Sequence, residues 1–216
     1  KLPILKDLAG QSDIPDMHLI SFSTSPLTIS LDSPCIMEDN GSISALASRD
    51  TQAVSVTVAG WENWTAPGVT ITARKTETMD AIPVTPGGNG AGSFDIPADF
   101  NGEITIIAAS VSKPDNKTEI VLIVNKRDLT IADFAYDLSI PPVYNGSAQP
   151  LSVTVSEGTG TVSVQYNGME APPVNAGVYA VTAHYPGDGV YNATADSGVY
   201  LGDYIIDRKP VIITPD

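Results

Sequence analysis

The 216-residue chain predicts an all-β protein, built as an antiparallel sandwich or barrel, on three observations. Apolar and hydroxyl residues alternate in many short stretches. Proline and glycine interrupt most windows long enough for a helix, and Asn-Gly turns recur along the whole length. Alternation is the main signal, because successive side chains of a strand point to opposite faces of the sheet.

In chain order, Leu27-Thr28-Ile29-Ser30-Leu31, Val54-Ser55-Val56-Thr57-Val58 and Val69-Thr70-Ile71-Thr72-Ala73 have that spacing. Ile120 to Val124 is apolar throughout and predicts a more enclosed strand. Leu151-Ser152-Val153-Thr154-Val155 and Val162-Ser163-Val164-Gln165-Tyr166 repeat the pattern. Between the strands stand Asn40-Gly41, Pro86 to Gly90, Asn101-Gly102, Asn145-Gly146, Asn167-Gly168 and Pro186-Gly187-Asp188-Gly189. Asn-Gly readily supplies the positive φ angles of tight hairpins.

The length suits one large or two ordinary domains. Lys126-Arg127-Asp128 marks the expected boundary. A lead-in segment or linker covers 1–16, one unit covers 17–126, and a second covers 127–209. Arg208-Lys209 echoes Lys126-Arg127 one small β-domain later. Residues 210–216 therefore read either as the start of a further repeat or as a terminal strand of the second unit.

The second unit carries the most specific pattern. It reads Val143-Tyr144-Asn145-Gly146, then Ala171-Pro172-Pro173-Val174-Asn175-Ala176-Gly177-Val178-Tyr179-Ala180-Val181, then Tyr191-Asn192-Ala193 and Leu201-Gly202-Asp203-Tyr204-Ile205-Ile206. These segments in this order resemble the MBG (mostly bacterial Ig-like) repeat of large bacterial surface and secreted proteins, over about Leu129 to Lys209. Val178 replaces a usual threonine, and the Tyr191 loop is longer than the family's plainer form. The resemblance implies an immunoglobulin-like sandwich.

The stretch from Asn175 to Val181 also has the spacing of an immunoglobulin tyrosine corner, in which a tyrosine hydroxyl bonds back to nearby backbone. Asn175, Gly177, Tyr179 and Val181 are thus structural, with Val181 in the place of the core cysteine. Pro97 to Ile106 is a fainter version, with Ile104 where the tyrosine would stand. The first unit accordingly resembles a generic bacterial Ig-like or cadherin-like sandwich, and the chain as a whole reads as two tandem immunoglobulin-like antiparallel β-sandwiches.

Charge and chemistry narrow the function. A formal net charge of −14 repels phosphate backbones, so nucleic acid is not an expected partner. No apolar run approaches the ~20 residues that span a bilayer. Cys35 is the single cysteine, so an intrachain disulfide is impossible. His18, His184 and Cys35 lack any surrounding catalytic pattern, and no catalytic residue is expected. Calcium is the one metal with oxygen ligands to offer, in Glu38-Asp39-Asn40-Gly41 and from Asp188 through Asp196-Ser197-Gly198. Ordinary turn chemistry is the heavier reading of both loops, because neither has EF-hand spacing.

Trp61 and Trp64, the only tryptophans, stand within four residues. They either pack in the core and at an edge or present rings to a sugar face. The expected function is a non-catalytic extracellular module of a bacterial surface or secreted protein: stalk, spacer or protein-interaction domain. The alternative is a glycan-binding module using Trp61 and Trp64, and the expected partner is a protein or glycan at the cell surface.

Overall fold

The computed structural model describes residues 27–60, 68–111 and 114–211. The expected lead-in segment, His18, Trp61, Trp64 and residues 212–216 lie outside that set. Among the described residues there is no α-helix.

The first half contains β1 (Thr28–Asp32), β2 (Met37–Asp39), β3 (Ser42–Leu46), β4 (Gln52–Ala59) and β5 (Val69–Lys75). It continues with β6 (Ala81–Ile82), β7 (Val84–Gly88), β8 (Ala91–Ile96), β9 (Gly102–Ser110) and β10 (Lys117–Asn125). These form a four-stranded sheet, β1-β4-β8-β7, and a six-stranded sheet, β2-β3-β10-β9-β5-β6. The predicted alternation is visible in β4, where Val54, Val56 and Val58 are buried and the residues between them are exposed. Val54, Val56, Phe94 and Ile96 of one sheet join Ile104, Ile106, Leu122 and Val124 of the other in a single core. Each such side chain stabilises the fold by about 1.5–3 kcal/mol through burial.

One pair departs from the expected antiparallel pattern: β3 runs parallel to β10, with Leu122 opposite Ile43 and Asn125 opposite Leu46. Both strands point toward the end from which the chain leaves for the second half. In β9 strict alternation fails as well: Ile104, Thr105 and Ile106 are buried in succession. Its buried Thr105 hydroxyl is satisfied by the Thr76 hydroxyl at 2.8 Å.

The second half contains β11 (Phe134–Ala135), β12 (Thr154–Val155), β13 (Ser163–Tyr166), β14 (Gly177–His184) and β15 (Val199–Ile206). Its sheets are β11-β12 and β13-β14-β15. The strand predicted over 151–155 is ladder-bonded only at Thr154 and Val155. Upstream, the Leu151 amide donates instead to the Tyr166 hydroxyl at 2.6 Å, so a side chain takes the place of a neighbouring strand. Val153 and Val155 are buried all the same.

Each half encloses apolar residues between its own two sheets, and no sheet contains strands of both. The buried residues nevertheless form one contiguous cluster that runs from Leu31 to Ile206 across the boundary. Ala47 and Val190, both buried, bond the connecting residue Arg127 directly, and Tyr191 is buried beside them.

Candidate functional site

The densest set of polar interactions lies where the two sandwiches meet. The chain crosses at Arg127, and both of its sides are held. The Arg127 amide donates to the Val190 carbonyl, and its own carbonyl accepts from the Asn192 amide, both at 2.8 Å. Its side-chain Nε donates back to the Ala47 carbonyl of the first sandwich at 3.0 Å. Asn192 Nδ2 also donates to Asp128 at 2.8 Å. A connecting residue with this many fixed partners has little freedom left.

Arg49 spans the joint from the other side. It stands in the loop between β3 and β4, and its guanidinium reaches three acceptors. Nε donates to the Glu157 carbonyl at 2.7 Å, Nη1 to Asp99 at 2.6 Å, and Nη2 to Asp188. Its carbon centre lies 5.9 Å from the centroid of the Tyr191 ring. The planar guanidinium fits this task, since it offers donors in a fixed fork and a flat face for an aromatic.

Asp188 is the hub on the second sandwich, with its side chain 8% exposed. Oδ1 accepts from the Val190 and Tyr191 amides at 2.8 and 2.9 Å. Oδ2 accepts from the Tyr185 hydroxyl, from Arg49, and from the Thr159 amide and hydroxyl at 3.2 and 3.3 Å. Burial alone would raise the Asp188 pKa, but the bonds from Tyr185, Tyr191, Val190 and Arg49 outweigh it and hold the carboxyl far below the ordinary range. Burial likewise opposes the charge on Arg49, while its bonds and proximity to Asp99 and Asp188 raise its pKa.

The backbones also approach closely. Asn101 Nδ2 donates to the Gly189 carbonyl at 3.0 Å, and a Cβ on Gly189 would stand 2.7 Å from the Asp99 carbonyl oxygen. Glycine is therefore required there by sterics. Gly187, at φ +82, makes the preceding turn.

The Tyr179 hydroxyl donates to the Asn175 carbonyl at 2.8 Å, Val181 is fully buried, and Gly177 begins β14. In the first sandwich Ile104 is fully buried at the corresponding corner. Trp61 and Trp64 lie outside the described residues. The strands flanking them, β4 and β5, end at Ala59 and begin at Val69, at the end of the first sandwich away from the joint. Glu38 and Asp39, at the end of β2, and Asn40, in the turn into β3, are exposed. Asp188 is bound by the donors described above. Among the described residues no three His, Cys, Asp or Glu side chains are grouped to hold a metal. Cys35 packs half-buried against the Ser33 hydroxyl at 3.2 Å, and His184 lies 3.3 Å from that of Thr182.

The Tyr179 corner lies within a stretch that has a family match. Residues 135–202 match the MBG domain family. The first sandwich and the Arg127 crossing lie outside the MBG match, so the joint has one side within it and one side beyond it. No curated protein matches the chain.

Three solved structures are similar over most of the length. Fibronectin(III)-like modules of Clostridium thermocellum CbhA are 14% identical, covering 84% of this chain and 95% of that one at a TM-score of 0.29. Tandem Ig repeats of Dlar are 10% identical, covering 86% and 98% at 0.29. The Escherichia coli adhesin FdeC is 10% identical, covering 87% and 65% at 0.30.

Sequence reasoning did not single out Arg49, and it read Asp188 only as a turn residue or calcium ligand. Arg49 and Asp188 lie 139 residues apart, so no local spacing joins them. The one available signal was Asp188 itself, an acidic residue following Tyr185 at a turn and facing an excess of carboxylates with few cations.

Proposed function

We propose that the chain is a non-catalytic module of a bacterial surface or secreted protein, whose two sandwiches act as a spacer or adhesive stalk held at a fixed angle. The observation that carries this reading is the joint. Arg127 is bonded to both sandwiches, Arg49 bridges Asp99 and Asp188, and Gly189 meets the opposing backbone. A joint with a short crossing and a partly buried ion pair transmits orientation, whereas domains on a loose linker do not. The MBG match supports an exported, surface-associated setting, and recognition of a protein or glycan would fall to loops at the outer ends. Small-angle scattering on the full chain tests the reading. A single elongated envelope, unchanged between low and high salt, is expected; a spread of interdomain angles would overturn it.

A further inference from the structure

We propose that the near end of the second sandwich is a guanidinium-specific socket, which admits as its predecessor only a module presenting an arginine from the loop occupied here by Arg49. The inference rests on the fixed-joint reading and adds to it a rule of partner choice.

Three walls form the socket: the Asp188 carboxylate, the Glu157 carbonyl and the face of the Tyr191 ring. All belong to the second sandwich. Asp188 is oriented by Tyr185, Val190, Tyr191 and Thr159, which are also in the second sandwich, so the acceptor is aimed before any cation enters. The second sandwich supplies no ion-pair partner of its own. Among the described residues the only ion pairs are the two made by Arg49, and Asp188 pairs with nothing else. A buried carboxylate lacking its counter-charge is costly. Donors pointing two ways with a flat face over a ring describe a guanidinium. A lysine ammonium has no such face and no fixed fork.

The opposite end of the same sandwich makes the rule directional. In the first sandwich the Ala47 amide bonds the carbonyl of the last β10 residue, Asn125, at 2.8 Å. In the second, the Tyr144 amide bonds the Asp207 carbonyl, just past β15, also at 2.8 Å. A second bond joins the same two loops in each, with donor and acceptor exchanged. The Asp99 amide donates to the Ser48 carbonyl in one, and the Gln149 amide to the Pro173 carbonyl in the other, so the register rests on the first tie. Aligning Ala47 with Tyr144 places Gly146, at φ +82, where Arg49 stands. The second sandwich thus has the socket at its near end and no key at its far end. A copy of it could not stand in front of itself through this lock.

Chemical complementation of the full chain tests the socket. Arg49→Ala is expected to lower the melting temperature by about 5–10 °C. Millimolar N-ethylguanidinium should then raise it again, saturably, while N-ethylammonium does not. The unsubstituted chain, whose socket is filled, should show no rise with either. Arg49→Lys keeps the charge and serves if the alanine variant fails to fold; it should melt below the unsubstituted chain and also respond to ethylguanidinium. Equal recovery with both cations, no recovery at all, or a lysine variant as stable as arginine would each overturn the proposal. A stable Arg49→Ala chain that keeps its scattering envelope removes the socket and leaves the spacer reading intact. A flexible unsubstituted chain removes the spacer reading itself.

Discussion

The two sandwiches reach the same end by different means. The first is held by ladders: β9 pairs with β10 over eight positions and with β5 over seven, and valine, isoleucine and phenylalanine fill the space between its sheets. The second has two-residue ladders in one sheet and contains all eight tyrosines of the chain. Tyr136 donates to the Leu201 carbonyl at 3.0 Å, and the Tyr166 hydroxyl accepts from Leu151. The Tyr185 hydroxyl accepts from the Gly160 amide at 3.1 Å and donates to Asp188. A tyrosine buries a ring and delivers one hydrogen bond at its tip, so it can stitch irregular backbone to a sheet where a strand is missing. The lesson is that ladders and hydroxyls are interchangeable closures for a small β-sandwich. They differ in what a single substitution removes.

The sharpest way to break that comparison is a cavity in the ladder-built half. Ile106 is fully buried at the middle of β9. Ile106→Ala should cost about 2–5 kcal/mol, read as a lower midpoint in urea unfolding. Tyr185→Phe should come next, at about 1–3 kcal/mol, because it deletes no volume yet strands the Gly160 amide and removes a donor from Asp188. If Tyr185→Phe proved the milder by far, hydroxyls would be decoration on a core that holds without them. Because the buried cluster crosses the joint, both variants should lower one shared transition; two separated transitions would divide the halves thermodynamically.

Acid sharpens the comparison further. The Asp188 carboxyl is depressed in the folded chain, so its stabilisation is fully present above the unfolded carboxylate value of about 3.9. It is lost progressively as pH falls below that value toward the folded one. Between pH 6 and 2 the melting temperature of the unsubstituted chain should therefore fall more steeply than that of Asp188→Asn. Parallel curves would mean that other carboxylates carry the acid response.

Much of this architecture was legible in the chain, for a local reason. Val54, Val56 and Val58 alternate with hydroxyl and small residues, and β4 buries those three. Asn175 to Val181 has the spacing of a corner whose tyrosine bonds back to nearby backbone. The structure shows the partner to be Asn175, close enough in the chain for local geometry to fix it. Legibility ended where the cause was distant. The parallel pairing of β3 with β10 depends on which free edge the folded sheet offers. The shortened β12 depends on Tyr166 arriving from the opposite sheet. Arg49 became meaningful only when folding brought it to Asp188; in the sequence it was one of 11 basic residues scattered through an acidic chain.

The finest test removes one oxygen from two tyrosines on adjoining strands. Tyr179 bonds the Asn175 carbonyl at the turn into β14, whereas Tyr200 is 54% exposed and bonds Asp203 on its own strand at 2.8 Å. Tyr179→Phe should cost about 0.5–1.5 kcal/mol, since its bond ties the Asn175 turn to β14. Tyr200→Phe should leave the melting temperature unchanged, because water replaces the lost partner on both sides. The same chemical deletion then separates a hydroxyl that closes the fold from one that decorates it. If the two variants melt together, the Asn175 corner contributes no more than an exposed surface bond, and the tyrosines of the second sandwich stabilise it through their rings alone.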